Sequence, residues 1–290
     1  MTETPAPPAS PPARREPHIV DVLIVERAPR LERSLFWPLL RPVLYKLLNY
    51  QAAVDMADAV RPLSGAAALD YMSALMDLRV EVRSPDRIPA TGRCIVVANH
   101  PTGIADGIAV FDAVRARRAD AIFFANADAL RVSPRLGEAV IPVEWVVAKR
   151  NREKTRATLA AAREAFEAER CVVLFPAGRL SRVAKDGSLT DPEWAQTAAS
   201  LARKYDAPVV PIHVAGPDST LFHLFDRVSE ELRDITLFHE LLNKRKAAFQ
   251  LKVGKPIPPA RLDTDAARAT GALKTFTERV LPDQPDADFA

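Results

Sequence analysis

The stretch Cys94–Gly107, CIVVANHPTGIADG, carries an imidazole and a carboxylate six positions apart, His100 and Asp106. Imidazole takes up a proton near neutral pH, and a carboxylate can fix its tautomer and stabilise the imidazolium that forms. The β-branched run Ile95-Val96-Val97 reads as a strand that would hold His100 rigidly at its tip. Pro101-Thr102-Gly103 reads as a turn that lets the chain double back, so that Asp106 could reach the ring. The same residues also suit a plainer reading, with His100 in a turn and Asp106 as a cap or first-turn acid of a helix. On spacing alone the plainer reading is the commoner one, because short polar patterns recur by chance.

A second stretch, Leu174–Arg182 or LFPAGRLSR, closes another apolar run. Pro176 and Gly178 shape a tight turn, and Arg179, Ser181 and Arg182 offer donors to an anion or a polar head group. A third, AKRNREKTR at 148–156, leads into a helix with Lys149, Arg150, Arg152, Lys154 and Arg156. Such a run is either a solvated face or an attractor of anionic lipid or an acidic carrier protein. Lys244, Arg245 and Lys246 carry the same ambiguity. The chain lacks a Gly-x-Ser-x-Gly elbow, a His-Glu-x-x-His pair and a Gly-x-x-x-x-Gly-Lys loop. Serine-hydrolase, zinc-protease and nucleotide-hydrolase chemistry lose support accordingly.

From residue 80 onward, short apolar strands alternate with amphipathic helices. The strand candidates are Arg79–Arg83, Cys94–Ala98, Ala121–Ala125, Val140–Val147, Cys171–Phe175, Pro208–Val214 and Phe249–Val253. Helices are expected at 104–117, 154–168, 191–204 and 265–280. In the second, Thr155, Leu159, Ala162 and Phe166 share one face; in the third, Asp191 and Pro192 occupy the N-cap and first-turn positions. Near-continuous apolar strands predict an α/β domain over 80–282, its mostly parallel or mixed central sheet flanked by helices. Ligands in such sheets gather where strands end and helices begin, which is where His100 and Arg179 stand.

Residues 18–79 form an expected N-terminal helical section. Within it Ser34–Tyr50 is aromatic, leucine-rich and interrupted by Pro38 and Pro42, too short and broken to span a bilayer. Trp37, Tyr45 and Tyr50 with Arg41 and Lys46 suit an element lying in a membrane interface, or an ordinary helix packed on the core. The Pro-rich residues 1–17 and the polar residues 283–290 read as disordered tails. Charge is nearly balanced, with 40 basic and 37 acidic residues, which speaks against a dedicated nucleic-acid binder. Cys94 and Cys171 each open an apolar run and read as buried hydrophobes in a reducing compartment, neither disulfide nor metal ligands. No signal peptide or spanning segment is recognised, so a cytoplasmic protein is expected.

Taken together and in this order, the two strand-end motifs resemble those of the glycerolipid acyltransferase family, to which lysophosphatidate acyltransferase belongs. The family pattern is Asn-His-x-x-x-x-Asp followed by a Phe-Pro-Glu-Gly turn; Asn99-His100 is followed by Phe175 about 75 residues later. Ala129–Val143 resembles the link between the family's motifs, and Ala207–Gly216 its late Val-Pro block, so that the similarity covers about residues 80–258. Three positions depart from the pattern. Five residues separate His100 from Asp106, Ala177 replaces the Glu, and Leu180 stands at the family's Arg position with Arg179 one place earlier. These features, with His239–Ile257, look closer to a bacterial branch labelled hemolysin-like, whose members are linked to amino-acid-containing lipids such as ornithine lipid.

The resemblance implies an O-acyltransferase that moves a fatty acyl chain from acyl carrier protein or coenzyme A to a lyso-lipid hydroxyl. His100 would be the base and Asp106 its orienting partner, with no acyl-enzyme, bound cofactor or metal. Asn99, Gly103, Phe175, Pro176, Gly178, Arg179, Ser181 and Arg182 would bind substrate, and backbone amides around Gly103 or Gly178 are candidates for the oxyanion. Trp37, Arg41, Lys46, Lys149, Arg150 and Arg152 would meet the carrier or the inner face of the cytoplasmic membrane. Acylation of lysophosphatidate itself is one alternative. A non-catalytic lipid-binding protein of the same fold is another.

Overall fold

Ile95, Val96 and Val97 have no exposed surface, and burial of each such side chain contributes about 1.5–3 kcal/mol. That burial is possible because the strand they form is covered on both faces. The computed structural model describes residues 16–144, 151–184, 187–217, 219, 222, 224, 225 and 228–290. Its main strands are β1 (Arg79–Arg83), β2 (Cys94–Ala98), β3 (Ile122–Asn126), β4 (Val140–Val143) and β5 (Cys171–Leu174). A short antiparallel hairpin, β6 (Arg182–Val183) and β7 (Leu189–Thr190), precedes β8 (Val209–Ala215) and β9 (Ala248–Val253). The seven-stranded sheet has the order β1-β9-β8-β2-β5-β3-β4. Neighbours are parallel except β8 and β9, so the expected mixed, mostly parallel sheet is what the chain forms.

Alternate residues of β2 enter different cores. Cys94, Val96 and Ala98 join one with Phe111, Val173, Ile212 and Phe249, while Ile95 and Val97 join the other with Phe166, Leu174, Trp194 and Leu273. The first face is covered by α1 (Ile19–Arg27), α2 (Trp37–Leu47), α3 (Tyr50–Val60), α4 (Gly65–Met76) and α5 (Ile104–Arg115), together with Leu237–Leu242. The second is covered by α6 (Arg152–Glu167), α7 (Thr197–Tyr205) and α8 (Ala266–Thr275), which continues as a π-helical turn over Phe276–Val280.

Register decides where the chemistry sits. Cys94 lies opposite Cys171 and Val97 opposite Leu174, so the two middle strands end side by side. The residues that follow them, His100 and Phe175, therefore meet, with ring centroids 4.5 Å apart.

Four expectations need correction. Strand β4 stops at Val143; of its expected extension, Glu144 follows the strand and residues 145–147 lie outside the described ones, as do Lys149 and Arg150. Helix α7 begins at Thr197 instead of 191, because the Asp191 carboxylate is drawn to other donors and caps nothing. Residues 283–290 pack on the domain: Phe289 is buried edge-on against Phe276, Lys255 pairs with Asp288 at 2.8 Å, and Arg87 pairs with Asp286. Their polar composition conceals one aromatic anchor. The basic trio near 245 is no patch, since Lys244 is buried in an ion pair with Glu240 and Arg245 Nε donates to the Leu75 carbonyl. Of the expected N-terminal tail, only Glu16 and Pro17 lie among the described residues, and both are exposed.

The N-terminal helices also turn out differently from the expected anchors. Trp37 is buried, and Asp21 accepts from the Tyr45 hydroxyl at 2.7 Å, the Tyr50 hydroxyl at 2.6 Å and Arg41 at 3.0 Å. Burial and the bond to Asp21 push the Tyr45 hydroxyl up to about 12, so it stays a donor. These groups pin α2 and the start of α3 onto α1. What α2 and the two residues before it leave outside includes an apolar patch: Leu35, Phe36, Leu39, Leu40, Val43 and Leu47 are 94%, 67%, 73%, 43%, 64% and 48% exposed. Pro42 is accommodated within α2, on its outer side, and Lys46 is exposed nearby. No described helix is long and apolar enough to cross a membrane.

Candidate active site

Strand β2 hands over to α5 through Asn99–Gly103, a loop held by side-chain and backbone hydrogen bonds. Asn99 is buried; its amide nitrogen donates to the Val214 carbonyl at 2.9 Å and its amide oxygen accepts from the Val214 N–H at 2.7 Å. The side chain thus continues the β2–β8 pairing beyond Ala98. Both atoms of its side-chain amide are thus engaged by the sheet.

Asp106 is the third residue of α5 and has no exposed surface. Its Oδ2 lies 2.9 Å from His100 Nδ1 and accepts from the Thr102 N–H at 2.8 Å and the Gly103 N–H at 2.9 Å. Its Oδ1 accepts from the Thr102 hydroxyl at 2.6 Å. The residue is at once a first-turn acid that reaches back to its helix cap and the partner of the imidazole. Gly103, within the loop between His100 and Asp106, has a φ of +91°, which favours glycine.

A carboxylate surrounded by donors accepts from the imidazole as well, so Nδ1 carries the proton and Nε2 presents its lone pair. His100 is otherwise held through its N–H, which donates to Asp191 Oδ1 at 3.0 Å, and its carbonyl, which accepts from the Ser181 N–H at 2.8 Å. The Phe175 ring stacks on the imidazole. Nε2 alone makes no hydrogen bond among the described residues. The His100 side chain is 17% exposed.

The second loop is a tight turn in which the Gly178 N–H donates to the Phe175 carbonyl at 3.0 Å, with Gly178 at φ +62°. The amides of Gly103 and Gly178, proposed from sequence as oxyanion donors, are therefore both engaged within their own loops. In the first turn of α5, the Ile104 and Ala105 amides remain without an intrahelical acceptor. Pro176 is buried, and its carbonyl accepts from the Ala195 N–H at 2.9 Å. Ser181 is also buried, and its hydroxyl donates to Asp191 Oδ1 at 2.5 Å. Arg179 is exposed and Arg182 half-buried; neither has an ion-pair partner among the described residues. With Val183, Thr190, Asp191 and Pro192 they line a cleft of about 280 Å³.

Behind Phe175 lies a larger apolar cavity of about 340 Å³, walled by Phe124, Val143, Leu159, Leu174 and Leu201 and edged by the Lys154–Glu144 ion pair at 2.9 Å. Arg152, expected to meet a carrier or membrane, is exposed at the start of α6 beside Lys154 and Arg156. Trp37 and Arg41 face inward or toward Asp21, as described above, and do not join the site. Among the described residues, no group of three His, Cys, Asp or Glu side chains is placed to hold a metal. Sequence reading missed Asp191, Trp194 and Thr102 as parts of the site. The residues after Thr190 mimic a helix start, and nothing in their spacing announces that His100 lies beside them.

Residues 79–215 match the family model described as Acyltransferase. The chain is 27% identical over 199 residues to the lyso-glycine lipid O-acyltransferase of Phocaeicola vulgatus, covering 66% of this chain and 69% of that protein. It is 26% identical over 213 residues to the protein of the same name from Bacteroides thetaiotaomicron, covering 70% and 76%. The 1-acyl-sn-glycerophosphate acyltransferase PlsC of Thermotoga maritima superposes with a TM-score of 0.48 at 16% identity, over 93% of this chain and 95% of that one. The matched region runs from the start of β1 to the end of β8 and contains both strand-end loops, and it is over this region that the chain is similar to lipid O-acyltransferases.

Proposed function

We propose that the protein transfers a fatty acyl group from an acyl thioester to the hydroxyl of a lyso-lipid whose head group bears a carboxylate, with His100 as general base. The observation that carries this reading is the hydrogen bond from His100 Nδ1 to the fully buried Asp106, which leaves Nε2 as the open acceptor. Nε2 removes the proton of the acceptor hydroxyl as its oxygen attacks the thioester carbonyl. The tetrahedral oxyanion collapses, the C–S bond breaks, and the imidazolium returns the proton to the leaving thiolate, giving ester and free thiol. Asp106 stabilises the imidazolium between these events. No acyl-enzyme is needed, and both cysteines lie buried at the starts of β2 and β5, the ends opposite His100.

Arg179 and Arg182, which have no ion-pair partner among the described residues, favour an anionic head group beside the site, since arginine binds a carboxylate through two parallel N–H donors. The relatives named for lyso-glycine lipid make a carboxylate-bearing amino-acid lipid the preferred acceptor; lysophosphatidate is the alternative that the same two arginines would serve. The apolar cavity behind Phe175 suits the acyl chain. The donor is carried by acyl carrier protein or coenzyme A, and the exposed Arg152 and Arg156 supply charge complementary to either.

Docking at the cytoplasmic membrane surface is assigned to the apolar outer face of α2 and the Leu35-Phe36 pair before it, instead of Trp37, Tyr45 and Tyr50. Four exposed apolar side chains on one face of a short helix, with Leu35 and Phe36 just before it and Lys46 nearby, match an element lying in a bilayer interface.

His100→Ala is expected to reduce turnover to background with folding intact, and Asp106→Asn to lower kcat by roughly 10³–10⁴, the effect of mis-setting a catalytic tautomer. Near-wild-type turnover of His100→Ala would contradict the mechanism. Wild-type protein assayed on lyso-glycine lipid and lysophosphatidate should favour the former, and Arg182→Gln should raise KM for it more than it lowers kcat. Equal use of both acceptors would remove the carboxylate preference, and no turnover on any thioester would favour a lipid-binding role. Leu39→Glu with Val43→Glu should weaken association with anionic liposomes without lowering the melting temperature. Unchanged liposome binding would contradict the docking assignment.

A further inference from the structure

Asp191 lies 91 positions from His100 in sequence, yet it touches both loops of the site. It is 4% exposed. Its Oδ1 accepts from the His100 N–H at 3.0 Å and from the Ser181 hydroxyl at 2.5 Å, while the Ser181 N–H donates to the His100 carbonyl at 2.8 Å. The three residues close a ring of hydrogen bonds between the loop after β2 and the turn after β5. Oδ2 accepts from the Trp194 indole N–H at 2.8 Å.

A further layer fixes Asp191 itself. Its N–H donates to Glu278 Oε1 at 2.8 Å, and Glu278 Oε2 accepts from the Thr190 hydroxyl at 2.8 Å and from Lys274 at 2.5 Å. Glu278 belongs to the π-helical turn after α8, a local geometry often found at functional sites. Hydrogen bonds thus connect the C-terminal helix to the backbone of the base.

We propose that Asp191 is a positioning residue for acyl transfer: its carboxylate locks the His100 backbone to the Phe175–Ser181 turn and so sets the distance between the base and the acceptor cleft. This rests on the reading of His100 as base. A buried carboxylate is an expensive way to hold a loop unless its geometry matters, because burial disfavours its charge. Burial does push the Asp191 carboxyl above its ordinary range, against the donors from Ser181, Trp194 and His100 that favour ionisation. Asp191 also lines the cleft that holds Arg179 and Arg182, so a shift of this ring would move the acceptor site and the base relative to each other.

The test compares kcat, KM for each substrate and melting temperature in Asp191→Ala, Ser181→Ala and the double variant, with His100→Ala as reference. Misplacing a reacting group by about 1 Å can lower turnover some 100-fold, and Asp191→Ala is expected to lower kcat by about that factor while KM for the acyl donor stays within about twofold. Ser181→Ala alone should cost about tenfold, and should cost nothing further once Asp191 is gone, because the two share one ring. If Asp191→Ala fails to fold, the nearly isosteric Asp191→Asn replaces it in the same comparison. A folded Asp191 variant with kcat within about threefold of wild type would overturn the proposal, as would equal effects of Ser181→Ala in both backgrounds. Inactive His100→Ala beside a fully active Asp191 variant would sink this inference alone, whereas an active His100→Ala would sink the base as well.

Discussion

A carboxylate with no exposed surface must find all its partners inside the protein, and Asp106 finds four donors in the seven residues His100–Asp106. Hydrogen bonds to a charged group contribute about 1.5–3 kcal/mol each, whereas a buried charge left unpaired costs several kcal/mol. The loop therefore has little freedom: Thr102 and Gly103 must turn their N–H groups inward, and His100 must present Nδ1. The imidazole is oriented from one side by the acid and from the other by the Phe175 ring.

The sheet supplies the rest of the geometry. Parallel pairing of β2 with β5 ends both strands at the same level, and Asn99 extends the edge toward β8 with its own side-chain amide. Gly216, just beyond β8, allows this close packing: a Cβ there would fall 2.5 Å from the Phe249 ring and 2.9 Å from the Thr102 methyl. The two faces of the sheet then carry different work. Helices α1–α5 bury one face and end in an apolar outer surface on α2, while α6 and α7 enclose the apolar cavity behind Phe175 on the other.

The strands were legible in the sequence because a sheet covered on both sides needs continuous apolar runs such as Cys94–Ala98. The two motifs were legible as a pair because their order and separation reflect the β2–β5 crossover. What stayed hidden has a common cause: roles assigned by packing between distant residues. Asn99 looks like a ligand-binding amide beside a catalytic histidine, and only the presence of Val214 makes it part of the sheet. Trp37, Tyr45 and Tyr50 look like interfacial aromatics, yet Asp21 and the core take them inward and leave the leucines outside. Asp191-Pro192 has the local form of a helix start, and its carboxylate is claimed instead by His100, Ser181 and Trp194. In the C-terminal eight residues, one buried Phe289 outweighs a polar composition.

The central claim is that Asp106 fixes His100 with its proton on Nδ1, leaving Nε2 to act as base. Long-range proton–nitrogen NMR of histidine-labelled protein reads this tautomer directly. The account predicts that neutral His100 is in the Nδ1–H form, with a slowly exchanging Nδ1 proton that Asp106→Asn releases. A neutral His100 found with its proton on Nε2 would contradict it.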